Sequence, residues 1–195
     1  MNSGHIIFSN SADNHVYHLD VDSLEVNCII DKPDCRYADF FPDPINNSLI
    51  YSIEEDHQDS KNIANCLVVI DLSQYTTEKL TQGADFYTSP RISPCGEIIV
   101  WIQWNHPEMP WTGAQLFMSR LNRRLPFSPK LLAGSSLKSV SEPRWGSNGE
   151  LYFLQEISDY RSIYSCNPKK EDLGILEVGS IDGAEFGGAE FFLGR

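Results

Sequence analysis

No apolar stretch in this chain of 195 residues approaches the roughly 20 consecutive residues that a transmembrane helix requires. The amino terminus, Met1-Asn2-Ser3-Gly4-His5, has neither the basic start nor the apolar run of a secretory signal. Cationic side chains are few: 15 lysines and arginines stand against 27 aspartates and glutamates, a formal charge of -12. Such a chain repels phosphate backbones and anionic bilayers, so neither nucleic acid nor membrane is expected as a partner. The acids are dispersed and read mainly as a solvated surface. Cysteine is scarce and odd in number. Cys28, Cys35, Cys66, Cys95 and Cys166 form no C-x-x-C pair and keep no zinc-finger spacing to histidine. Reduced thiols in a cytoplasmic protein are therefore expected, with no metal and no cofactor.

Motifs that carry chemistry are missing as well. The chain has no phosphate-binding G-x-x-x-x-G-K, no G-x-G-x-x-G and no H-E-x-x-H. Gly146-Ser147-Asn148-Gly149 superficially suggests a G-x-S-x-G elbow, but the serine is one place early and the context is a hairpin. Asp20-Val21-Asp22-Ser23 lacks the glycine and the glutamate spacing of a calcium loop. No catalytic residue is assigned. No sustained 3.6-residue apolar period occurs either, so helices are at most incidental.

What is there is a repeat. Val16-Tyr17-His18-Leu19-Asp20, Leu67-Val68-Val69-Ile70-Asp71, Leu116-Phe117-Met118-Ser119-Arg120 and Ile163-Tyr164-Ser165-Cys166-Asn167 begin 51, 49 and 47 residues apart. Each is short, rich in β-branched and aromatic residues, and bounded by turn formers, which predicts a strand. A second set precedes them: Ile6-Ile7-Phe8, Leu49-Ile50-Tyr51, Ile99-Val100-Trp101 and Leu151-Tyr152-Phe153. Before three of these a further strand closes in a tight turn. There Pro90-Arg91-Ile92-Ser93-Pro94-Cys95-Gly96 matches Pro143-Arg144-Trp145-Gly146-Ser147-Asn148-Gly149, and Phe40 to Pro44 is a looser copy. Glycine at such a turn supplies the positive φ that a tight hairpin needs. A fourth strand ends each unit, at Glu25 to Ile30, Glu78 to Thr81, Lys130 to Ala133 and Leu176 to Val178.

Four antiparallel strands per unit of about 50 residues are the signature of propeller blades. The expected fold is all-β, a β-propeller segment of about four blades. The blades are placed as a remnant over 4–31, full blades over 35–82, 86–134 and 140–179, and the first strand of a further blade over 184–195. The last stretch rests on Gly183-Ala184-Glu185-Phe186, which echoes Gly83-Ala84-Asp85-Phe86. That tally fits a piece of a longer propeller, and equally a closed ring of four in which the last strand completes the first blade.

Unusual residues gather on one rim, formed by the loops between the second and third strands and by the entry to each blade. Glu54, Glu55, Asp56 and His57 lie there, with Asp85 and Phe86, Asn105, His106 and Trp111, and Glu185 and Phe186. Loops on one edge of a rigid scaffold are where binding residues sit. Three acids beside a histidine suit a cation or an amino group, but such a run is more often a solvated, locally capped loop. The four tryptophans read as packing between blades.

In order along the chain come Arg36-Tyr37-Ala38-Asp39, Glu55-Asp56-His57, Gly83 to Pro94, Trp104-Asn105-His106-Pro107-Glu108-Met109-Pro110-Trp111, Glu142-Pro143-Arg144-Trp145 and Ala184-Glu185-Phe186-Gly187-Gly188. Together they resemble the propeller of the prolyl oligopeptidase family of serine peptidases, in its acylaminoacyl-peptidase and dipeptidyl-aminopeptidase branch. The resemblance implies a parent protein of seven blades followed by an α/β-hydrolase domain with a Ser-Asp-His triad. In it the propeller covers the active site, admits short peptide or acyl-peptide substrates and docks the hydrolase domain through the rim. Cys95 stands where the family usually has Asp, and Thr112 where Asp commonly follows the Trp. Two rival readings remain: a stand-alone closed four-bladed interaction module, and a propeller enzyme with a metal in its channel, like the sugar lactonases.

Overall fold

The computed structural model describes residues 4–121, 127–156, 160–170, 173–180, 184, 186 and 187. Among these, every regular element is a strand: fifteen in four antiparallel sheets, each strand paired with its neighbour in the chain. The first sheet holds β1 (His5–Ser9), β2 (Val16–Asp20) and β3 (Val26–Ile30). The second holds β4 (Cys35–Pro42), β5 (Leu49–Asp56), β6 (Ala64–Asp71) and β7 (Thr76–Gln82). The third holds β8 (Phe86–Ile92), β9 (Ile98–Trp104), β10 (Gln115–Arg120) and β11 (Lys130–Gly134). The fourth holds β12 (Val140–Trp145), β13 (Leu151–Glu156), β14 (Arg161–Cys166) and β15 (Leu176–Gly179). These are the blades of a β-propeller segment, as the repeat predicts. The proposed strand over 184–195 lies outside the described residues except at Ala184, Phe186 and Gly187.

The sheets stack in series through three apolar layers. Val16, Ile29 and Ile30 of the first sheet meet Tyr37, Ile50, Val68 and Ile70 of the second. Tyr51, Ile53 and Leu67 meet Tyr87, Ile99 and Trp101 of the third. Val100, Leu116 and Met118 meet Val140, Leu151 and Phe153 of the fourth. The second and third sheets are thus covered on both faces, which is why β5 and β9 read as nearly unbroken apolar runs. No packing of comparable extent joins the fourth sheet to the first among the described residues.

Two irregularities recur once per blade. In the pairing of the last two strands of every sheet, one residue of the outermost strand is bulged out: Ile29, Leu80, Leu132 and Val178. The first three pack into the three apolar layers, whereas Val178 is 52% exposed. The innermost strands β4, β8 and β12 are also bulged, and the bulge residues Asp39, Ser89 and Glu142 have φ of 55°, 55° and 51°. A left-handed residue at a bulge bends the strand and raises its twist. The hairpin glycines Gly96 and Gly149 have φ of 73° and 79°, the conformation the turns require.

Candidate functional site

β5 does not end where the acid run begins. It continues through Asp56, with Glu54 opposite Cys66 and Asp56 opposite Ala64, so three of the four residues read as a loop are strand. Alternation along a strand then sends Glu54 and Glu55 to opposite faces. Glu54 points between the first two sheets and is 1% exposed. Its carboxylate accepts a 2.5 Å bond from the Tyr37 hydroxyl and pairs with Lys32 at 3.3 Å and Lys79 at 3.7 Å. The Cys66 thiol lies 3.7 Å away. Burial first, then the bond to Glu54, pushes the Tyr37 phenol far above its ordinary pKa, and burial pushes Cys66 up to about 12. This carboxylate is spent on bonds within the second sheet and to Lys32 in the connection from the first.

Glu55 faces the third sheet, in one row with Arg36 and Asn65. It remains half exposed and lies 3.2 Å from His57 Nε2, while the His57 amide donates to the Asp34 carbonyl. Across the cleft between the second and third sheets, Asn65 Nδ2 donates to the Asp85 carbonyl at 2.6 Å. Asp85 in turn interlocks with the loop after β9: its amide donates to Asn105 Oδ1, and its carboxylate accepts the His106 amide, both at 2.8 Å. Phe86 stacks on Trp104 with centroids 5.2 Å apart, and the exposed His106 ring meets Phe86 edge-on at 5.0 Å. The His106–Pro107 peptide is cis. Thr112 closes this loop, donating to Glu108 and accepting from the Met109 amide.

The structure therefore brings together Glu55, His57, Asp85, Phe86, Asn105 and His106 along one rim between the second and third sheets. Asp56 sits at its edge, 3.9 Å from Lys79. Trp111 is half buried in the loop after β9. Phe86 has a counterpart in the half-buried Phe186, whose amide donates to the Arg161 carbonyl. Glu185 lies outside the described residues. The rim offers aromatic faces, carboxylates and imidazoles, but no serine or cysteine within hydrogen-bond reach of His57 or His106 among the described residues. No group of three or more metal-binding side chains occurs among them either.

Sequence reasoning missed a buried tie beside this rim. Asp39 accepts the Ser89 amide at 2.5 Å, the Thr88 hydroxyl at 3.3 Å and Arg91 Nη1 at 3.2 Å, linking the innermost strands of the second and third sheets. The signal available was the arginine two places after the left-handed Ser89, fifty residues beyond Asp39.

The fold defines a class, part of a β-propeller. No protein-family model matches the chain, and no curated protein matches it in sequence. Solved structures do. A puromycin-hydrolyzing peptidase of Mycobacterium tuberculosis superimposes with a TM-score of 0.80 at 24% identity, covering 93% of this chain and 30% of that one. A puromycin hydrolase gives 0.78 at 19% identity, again over 93% and 30%. An oligogalacturonate lyase in complex with manganese gives 0.64 at 14% identity, over 93% and 55%. The chain spans about a third of the length of the peptidases it matches. At these identities the likeness is one of fold, and it reaches proteins of different activity.

Proposed function

We propose that the chain is the propeller portion of a cytoplasmic serine hydrolase of the prolyl oligopeptidase type, without catalytic groups of its own. The carrying observation is the superposition of 93% of the chain on a puromycin-hydrolyzing peptidase with a TM-score of 0.80. The resemblance in residues, from Arg36 to Gly188, points to the same class of protein by a separate route. The exposed apolar residues on the outer face of the fourth sheet support a further blade packed there: Val178 is 52% exposed, whereas its counterpart in each earlier blade is drawn into an apolar layer. In the parent protein the rim carrying Glu55, His57, Asp85, Phe86 and His106 faces an α/β-hydrolase domain. There it docks that domain and gates short peptide or acyl-peptide substrates.

The test is a blot of the producing cells with an antibody raised to this chain, combined with labelling by a fluorophosphonate that marks active serine hydrolases. A labelled band several-fold heavier than 22.1 kDa is the expected result. A single unlabelled band near 22 kDa would overturn the reading. In the heavy protein, replacing Phe86 and His106 by Ala should change kcat/KM more for long peptides than for dipeptide arylamides. An equal change for both would remove the gating role.

A further inference from the structure

Two of the five histidines, His5 and His18, lie in strands of the first sheet, and their rings meet. His5 opens β1 opposite Asp20, and His18 lies on β2 two pairs further along, opposite Ile7. Alternation puts both rings on the face turned toward the second sheet, where Val16 and Ile7 join the apolar layer. Both rings stay accessible at its edge, with His5 exposed and His18 half buried. His18 Nε2 lies 2.9 Å from His5 Nδ1, and the ring centroids are 4.8 Å apart at an interplanar angle of 41°. Asp20, the direct cross-strand partner of His5, holds one carboxylate oxygen 3.8 Å from His5 Nδ1. Its other oxygen is fixed by the Asp22 and Ser23 amides, both at 2.9 Å.

We infer that His5 and His18 form a two-imidazole site for a borderline divalent cation of the Zn2+, Ni2+ or Cu2+ class. Zn–N bonds of about 2.0 to 2.1 Å at tetrahedral or cis-octahedral angles put two ligand nitrogens about 2.9 to 3.4 Å apart. The observed 2.9 Å stands at the cis-octahedral end of that range. The two rings now share one hydrogen between facing nitrogens; a cation replaces it when each ring carries its proton on the distal nitrogen and turns its free lone pair to the common point. Asp20, with a carboxylate oxygen 3.8 Å from His5 Nδ1, supplies negative charge beside the site. Water completes the coordination. Imidazole nitrogen selects the later transition metals, so Mg2+ and Ca2+ are not taken.

The nearby His15 is engaged differently: its Nε2 faces Asp31 at 3.0 Å, and its Nδ1 faces the Cys28 thiol at 3.9 Å. The test therefore uses the full chain with Cys28 and Cys95, the exposed thiols, replaced by Ser. Calorimetric titration with NiCl2 and with ZnCl2 should give one site per chain, and MgCl2 none. Either His5→Gln or His18→Gln should weaken it at least about tenfold, as losing even an outer partner can, while His15→Gln leaves it unchanged. Unchanged binding in His18→Gln, loss in His15→Gln, or no binding at millimolar metal would overturn the site. Acylation by diethyl pyrocarbonate, read by mass spectrometry on the unsubstituted histidines, keeps the test open if a variant unfolds. Ni2+ should protect His5 and His18 and spare His57 and His106, and equal protection of all four would refute the assignment. Neither arm depends on the hydrolase reading.

Discussion

Replacing Asp39 by Ala tests whether the innermost strands are tied together as the structure shows. The Asp39 carboxylate is 3% exposed and the Arg91 side chain 10%. Removing the acid leaves Arg91 with the Pro90 carbonyl at 2.8 Å and the face of Phe41 at 5.2 Å, but without a counter-charge. Breaking a buried pair from one side costs about 3 to 5 kcal/mol. Alanine at a φ of 55° adds up to about 1 kcal/mol, since aspartate, with its short polar side chain, tolerates the left-handed region better than alanine does. A total of about 5 kcal/mol corresponds to a fall of about 10 to 20 °C in Tm for a chain of this size. Urea unfolding followed by tryptophan fluorescence measures it, with Arg91→Ala and the double variant completing a cycle. Asp39→Asn, which tolerates the backbone and still accepts the Ser89 amide, should lose about half as much. A loss below about 1 kcal/mol in Asp39→Ala, or strict additivity with Arg91→Ala, would refute the reasoning.

The thiols should divide by environment. Ellman's reagent should find Cys28 and Cys95 in the folded protein and all five thiols in denaturant. Cys95 should react first, because the Ser93 hydroxyl, with Lys169 nearby, lowers its pKa, whereas burial and then Asp31 and Asp13 raise that of Cys28. A fast phase that survives Cys95→Ser would contradict this. Gly113→Ala should destabilise by about 2 kcal/mol or more, since its Cβ would stand 2.4 Å from the Ser136 carbonyl oxygen. Gly149→Ala, in open space at a φ of 79°, should cost only about 1 kcal/mol by the same urea assay. Asp13 has its pKa lowered first by the His15 amide, with help from the Tyr17 hydroxyl. A folded pKa below the unfolded one gives stability that is present above the unfolded value and lost as pH falls through the folded one. Asp13→Asn should accordingly flatten the acid limb of the urea midpoint below about pH 4 and leave the neutral plateau sloped as before; an unchanged acid limb would exclude the carboxylate from acid unfolding.

Local order was legible along the chain because it depends on neighbours. Short β-branched and aromatic runs, returned on themselves by Gly96 and Gly149, define hairpins, and their recurrence defines blades. The same information could not distinguish Glu54 from Glu55. Period-two alternation says that they face opposite ways, but which way is inward depends on the sheets that flank β5, and those come from elsewhere in the chain. Strand pairing within the second sheet set Tyr37 and Lys79 beside Glu54, and Lys32, which follows the first sheet, closed over it and turned a candidate ligand into a buried strut. Likewise Asp39 and Arg91 stand 52 residues apart and meet because two bulged strands lie side by side. His5 and His18 meet through the register of one hairpin, 13 residues apart. By itself the sequence determined that this protein is built of repeated four-stranded sheets with unusual residues at one rim. Which of those residues remain available to another molecule was decided by tertiary structure, because burial and pairing are properties of neighbours brought in from distant positions in the chain.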